Sequence, residues 1–249
     1  MNKDYLEKIK ILREKIPVGV THALKILEKS GGNIDTAQEL IKEEYTAILI
    51  HKTGVSREIA QHHLLINKFN VETALNSIEK VIYSITELIL RRGNNKRDAI
   101  KLMLDAIERK IKAEVDKKKE SEVYEWFNFE LLNTLSPDLF TFAAIAKWLL
   151  YEDSEGFDYA VSFHTAIVTE QIETILLLPE IATYIRISRN RKAYFYQKYE
   201  HKKRGFMKAY DEIRQDSLYK NAEKAYHDNA ELLIETLYNY VKTHIKQFP

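Results

Sequence analysis

Seven glycines and four prolines punctuate 249 residues. That scarcity of chain breakers constrains the fold before any motif is considered. Sheet proteins reverse direction often, and reversals draw on Gly and Pro because these residues reach or pre-set the dihedral angles a turn needs. A chain with so few of them must be built from long elements. Lys, Glu, Leu, Ile and Ala dominate the positions between, and most of these are good helix formers. The expectation is an all-α protein. Its 45% hydrophobic content is enough for a real core, and its length allows one large domain or two smaller ones.

The chain has no cysteine, which rules out disulfides and thiolate metal sites and agrees with a reducing compartment. The opening "MNKDYLEKIKIL" lacks the apolar core and small-residue cleavage site of a secretory signal. The most apolar run, "LFTFAAIAKWLLY", contains Lys147 and is too short to span a bilayer. A soluble cytoplasmic protein without a membrane segment is expected.

A shift of 37 residues lays "LREKIPVGVTHALKILEKSGGNIDTAQELI" on "LIHKTGVSREIAQHHLLINKFNVETALNSI". Matching pairs include Lys15/Lys52, Val18/Val55, Ala23/Ala60, Leu27/Leu64, Asn33/Asn70, Thr36/Thr73, Ala37/Ala74 and Ile41/Ile78. Two unrelated amphipathic helices would agree at apolar positions alone, whereas here turn residues agree too. The pattern indicates duplication. Each copy reads as three helices, with Gly19 or Ser56 capping the second and Asn33 or Asn70 capping the third. "TAQELIKEEYTAILIHK" contains no Gly or Pro, so the third helix of copy one is expected to run into the first of copy two. "VETALNSIEKVIYSITELILRRG" is likewise expected to carry copy two through a connecting helix, residues 81–93. The domains expected are a tandem module over 1–80 and a helical bundle over 94–249.

On these residues copy one resembles the N-terminal ubiquitin-associated-like (UBA-like) domain of elongation factor Ts. The match rests on Leu12-Arg13-Glu14, Gly19, Ala23, Leu27 and Gly32-Asn33-Ile34-Asp35-Thr36-Ala37. Copy two keeps Thr53-Gly54, and its "GVSREIA" is similar to the UBA-like domain of the nascent-polypeptide-associated complex. The resemblance covers about a third of the chain. It departs from the factor at Ile16-Pro17, where the factor has Thr-Gly, and no Thr-Asp-Phe exchange motif follows. An exchange factor proper is therefore not expected. What the resemblance implies is a module that docks on proteins such as a translational GTPase, the ribosome or a ubiquitin-like surface. The corresponding contacts are Val18, Gly19, Val20 and Leu40 in copy one, and Gly54 and Val55 in copy two. The competing reading is that Val18 and Val55 close the small cores.

Beyond "RRGNNKRD", an amphipathic helix is marked by Ile100, Met103, Leu104, Ile107, Ile111 and Val115, ending near the charged stretch Lys117 to Glu120. "SPDLF" starts a helix from Asp138 to Tyr151 that is apolar nearly all round and should be central, with Trp148 inside. "YEDSEGFD" reads as an acidic solvated loop without the spacing of a calcium loop. A further helix is expected to about Leu178, and a break at Pro179. Residues 185–208 hold nine Lys or Arg against one Glu, net +8 of a chain total of +1, which leaves −7 for the remainder. Cations among aromatics suit phosphate contact and base stacking. A nucleic-acid reading would use Arg189, Arg191, Lys192, Lys198, Lys202, Lys203 and Arg204. In the competing reading Phe195, Tyr199, Phe206 and Tyr210 face a core and the same cations form a solvated face. A long terminal helix, capped by Asp216 or Ser217, closes the chain.

No phosphate loop, dinucleotide motif, nucleophile elbow or zinc-helix motif occurs. Glu223 and His227 are four apart and lack a visible partner set, and His63 and His164 read as packing histidines. No cofactor or metal is expected. The expected function is non-enzymatic docking on a protein partner. The alternatives are RNA binding through 186–208 and a helical-bundle enzyme whose site assembles from distant residues.

Overall fold

The computed structural model describes residues 3–93, 95–114 and 131–249. Val115 and the charged stretch 117–120 lie outside them. Every regular element among the described residues is helical, with thirteen α-helices, two short 3-10 helices and no strand. The protein is all-α. It divides into two compact units, Met1–Ser84 and Ile85–Pro249.

The first unit holds α1 (Lys3–Lys15), α2 (Val20–Lys29), α3 (Ile34–Thr53), α4 (Arg57–Ile66) and α5 (Val71–Ile82). The side chains of Asn33 and Asn70 accept the amides of Thr36 and Thr73 at 2.9 and 3.1 Å, capping α3 and α5 alike. Ser56 caps α4 by accepting the Ile59 amide at 3.4 Å, while Gly19 precedes α2 with extended backbone. The turns before the two asparagines share their bonding. Gly32 N donates to Leu27 O at 2.7 Å, and 37 residues later Phe69 N donates to Leu64 O at 2.7 Å. Both turns need two left-handed residues, Gly31 and Gly32 in one, Lys68 and Phe69 in the other. Glycine takes that conformation without steric cost. Phe69 does not, but its ring packs against both cores of the unit, which offsets the strain.

Ile9, Leu12, Ile16, Val18, Ala23, Ile26, Leu27, Ala37 and Ile41 form one core, and Leu49, Ala60, Leu64, Ala74 and Ile78 a second. The pairs Leu12/Leu49, Ala23/Ala60, Leu27/Leu64, Ala37/Ala74 and Ile41/Ile78 are buried at both positions. Burying Leu27 and Leu64 contributes about 1.5–3 kcal/mol each. The unbroken α3 supplies Ala37 and Ile41 to one core and Leu49 to the other, with Tyr45 packed against both.

The expected continuous helix through 81–93 is interrupted. Tyr83 is extended, and the next helix, α6 (Ile85–Arg92), begins after Ser84. Ser84-Ile85-Thr86-Glu87 carries the residue pattern of a capping box, which marks the start of a new helix. α6 belongs to the second unit, where Ile89 and Leu90 pack on its main core and Thr86 N donates to Pro249 O at 2.8 Å.

The second unit continues with α7 (Lys96–Glu114), α8 (Pro137–Glu155), α9 (Phe157–Ala160), α10 (Thr165–Thr174), α11 (Pro179–Tyr199), α12 (Gly205–Ile213) and α13 (Ser217–Thr243). α8 is its centre, burying Phe142, Ala143, Ala144, Ile145, Ala146, Trp148 and Leu149, and it packs on α7, α9 and α10. Trp148 is 1% exposed and donates Nε1–H to Ala160 O at 2.8 Å, so its polar handle is satisfied inside the core. Tyr226 of α13 meets Trp148 edge-on at 5.6 Å and stacks on Phe157 at 4.6 Å.

Three expectations for this half need correction. The acidic segment 151–158 is mostly helix, because α8 runs on to Glu155 before Gly156 turns the chain at φ 89°. The helix expected to reach Leu178 stops at Thr174, and Pro179 begins α11 at a position where its missing N–H costs nothing. His164 is not inside an apolar helix face but precedes α10, exposed and left-handed.

Candidate functional site

Pro17 and Val18 are held from two sides. Tyr45 Oη donates to Pro17 O at 2.6 Å and Arg13 Nε to Val18 O at 3.1 Å. The turn therefore sits in a fixed geometry. Val18 is 7% exposed and belongs to the first core, whereas Val20 is 46% exposed at the start of α2. Gly19 between them is exposed, with open space where a side chain would lie. Leu40 is half-buried against the same core. In the second set Gly54 is exposed and left-handed at the end of α3, and Val55 is half-buried against the second core. Val18 is thus inward, Leu40 and Val55 are partly committed to packing, and Gly19, Val20 and Gly54 face solvent.

Other exposed apolar residues of this unit were not singled out from sequence. Ile59, Leu65 and Ile66 of α4 and Val81 of α5 are exposed. Ile59 and Ile66 are seven apart, on a helix face out of phase with the buried Ala60 and Leu64. That offset is visible in the sequence once the core face is fixed. On the same helix, half-buried His63 places Nδ1 2.9 Å from Ser77 Oγ.

The basic segment is not the uniform solvated face expected. Lys192 is 5% exposed, with its Nζ 2.9 Å from Asp158 Oδ1 and bonded also to the Asp158 carbonyl. Tyr219 Oη donates to the same carboxylate at 3.0 Å, and burial together with Asp158 pushes the Tyr219 hydroxyl far above its ordinary range. Arg191 forks onto Asp216, with Nε at 3.0 Å and Nη2 at 2.6 Å, and these bonds hold the Asp216 carboxyl below its ordinary range. Lys198 lies 3.4 Å from Glu212, whose carboxyl is lowered first by the Tyr199 hydroxyl and then by Lys198. A buried ammonium needs a counter-charge, and the partners came from distant acidic segments. Arg189, Lys202, Lys203 and Arg204 are exposed.

The aromatic face is also divided. Phe195 and Tyr199 are buried with Ala209, Ile213 and Tyr219, but Phe206 is 67% exposed. The helix ends at Tyr199, Arg204 takes φ 58°, and Gly205 lies so close to the Tyr199 carbonyl that any side chain would collide with it. The turn resets the helical phase, so the spacing from Tyr199 to Phe206 no longer means a shared face.

Among the described residues no group of three or more His, Asp or Glu is placed to hold a metal ion. Burial raises the Glu223 carboxyl, with Asp158 adding to the rise and His227 opposing it. A cavity of about 310 Å³ in the second unit is lined by Ile107, Ile111, Leu135 and Leu139, with Lys110 the ionisable side chain on its wall.

The chain matches the family described as YfbN C-terminal domain across residues 84–246. It is 30% identical over 246 residues, 99% of this chain and 96% of the other, to the Escherichia coli (strain K12) protein titled "Uncharacterized protein YfbN". No solved structure matches. Unit and full-length similarity agree, and the chain belongs to the YfbN family.

Proposed function

We propose that the protein acts by binding, with residues 3–84 as a protein-docking module made of two copies of one three-helix unit. The 37-residue recurrence of caps, turn bonds and buried pairs supports the duplication. The unbroken α3, reaching from one core to the other, supports a rigid pair. The observation that carries the docking reading is the split at the turn before α2. Val18 faces inward while Val20, two residues on, holds its apolar side chain in solvent beside the open backbone of Gly19. Because Tyr45 and Arg13 already fix this turn, a partner would pay little ordering entropy to use it. The chemistry fits an apolar patch on another protein, and the elongation factor Ts resemblance points to the translation machinery as its source.

Full-length protein and its Val20→Asp variant, compared as immobilised baits in extract of the source cell, test this. A partner retained by the wild type at high salt and lost from Val20→Asp at unchanged melting temperature is the expected result. Capture that needs low salt and survives the substitution would overturn the reading.

A further inference from the structure

The turn between α11 and α12 places a stacking surface among cations. Tyr196 and Phe206 lie face to face, with ring centroids 5.4 Å apart and planes within 20°. Tyr196 is half-buried and backs one face of Phe206, which keeps 67% of its surface in solvent. Lys202, Lys203 and Arg204 precede the ring, Lys208 follows it, and all four are exposed. Lys202 sits 4.8 Å over the Tyr199 ring. Most other cations of this segment behave differently: Arg186, Arg191, Lys192 and Lys198 are each paired with a carboxylate of the fold, while Arg189 is exposed on α11. Apart from Arg189, the positive charge of this segment left for a ligand is therefore concentrated at this one turn, opposed locally by exposed Glu200 and Asp211.

We propose that this turn binds a single strand of nucleic acid, with Phe206 stacking one base and Lys203, Arg204 and Lys208 meeting the flanking phosphates. An aromatic ring held flat by a second ring is ready to take a base without further ordering, and stacking of this kind tolerates any base. The surrounding cations would release counterions from the strand, which makes binding salt-dependent. A membrane wedge is disfavoured by the same geometry. The ring lies against Tyr196 instead of projecting, and Met207 is the one exposed apolar neighbour at the turn.

Fluorescence anisotropy of the full-length protein tests the assignment, using labelled, unstructured RNA and DNA strands of about 15 nucleotides. Micromolar binding at low salt is expected. Phe206→Ala should weaken it about tenfold, Phe206→Tyr should restore it, and Lys203→Glu/Arg204→Glu should weaken it and flatten its salt dependence. The RNA and DNA arms show which strand is preferred, and either preference supports the site. No binding up to ~100 µM, equal affinity for Phe206→Ala, or capture of anionic phosphatidylglycerol vesicles in place of the strands would overturn it. Phe206 is on the surface, so these variants test the ligand and not the fold.

Discussion

Replacing Asp216 by alanine removes two interactions at one point of the second unit. Its Oδ1 accepts the Tyr219 amide at 2.8 Å as the N-cap of α13, and its two oxygens take the Arg191 fork. Loss of an aspartate cap costs about 1 kcal/mol. A deeply buried ion pair broken on one side costs roughly 3–5 kcal/mol. Arg191 keeps 28% of its side chain in solvent, so water recovers part of that, and about 2 kcal/mol is the appropriate figure. The expected loss for Asp216→Ala is therefore about 3 kcal/mol, or roughly 6–12 °C in melting temperature for a chain of this size. Asparagine is an equally good cap, so Asp216→Asn should lose about 2 kcal/mol. Urea unfolding of the full chain and calorimetry measure both. The pH dependence has a fixed sign. The folded carboxyl is held below its unfolded value, so its contribution is complete above about pH 5 and disappears as pH falls through the folded value. Asp216→Asn should lack that acid-side loss. A cost for Asp216→Ala below about 1 kcal/mol would refute the reasoning, because the cap alone accounts for that much and Arg191 would then be free for a ligand.

Asn33→Ala and Asn70→Ala should each cost about 1 kcal/mol in urea unfolding, since the two side chains make the same bond to the third residue onward; a large cost at one and none at the other would break the equivalence of the two turns. Val18→Ala should cost about 2 kcal/mol, while Val20→Ala should stay within roughly 0.5 kcal/mol, and reversal of that order would place the wrong valine in the core. Heteronuclear NMR relaxation should give the same rotational correlation time for α2 and α4, and separate times would contradict a rigid pair.

The legible features were local in sequence. Ala23, Leu27, Ala37 and Ile41 repeat 37 residues on, and each of these positions is buried because helical periodicity reports a face directly. Asn33, Ser56, Asn70 and Asp216 could be read as caps because a cap bonds within three residues. What escaped depended on partners far along the chain or on backbone geometry. Lys192 looks like any surface lysine until Asp158, thirty-four residues away, is brought against it. Phe206 follows the spacing of a buried face, but the close approach of Gly205 to Tyr199 ends that periodicity. Lys68 and Phe69 give no composition signal for a left-handed turn, and only alignment with Gly31 and Gly32 reveals it. The helix restart at Ser84 was readable from Ser84-Ile85-Thr86-Glu87, and the lack of Gly or Pro nearby masked it. Among the exposed apolar residues of the first unit, Val20 was identified from its turn, whereas Ile59 and Ile66 required knowing which face of α4 packs.

Site-specific photo-crosslinking in the source cell addresses the docking claim most directly. A photoreactive residue at position 20 of the full-length protein should yield a discrete protein adduct, while the same residue at the exposed Glu28 on the far end of α2 should not. No adduct at position 20, or the same adducts at both positions, would contradict the account.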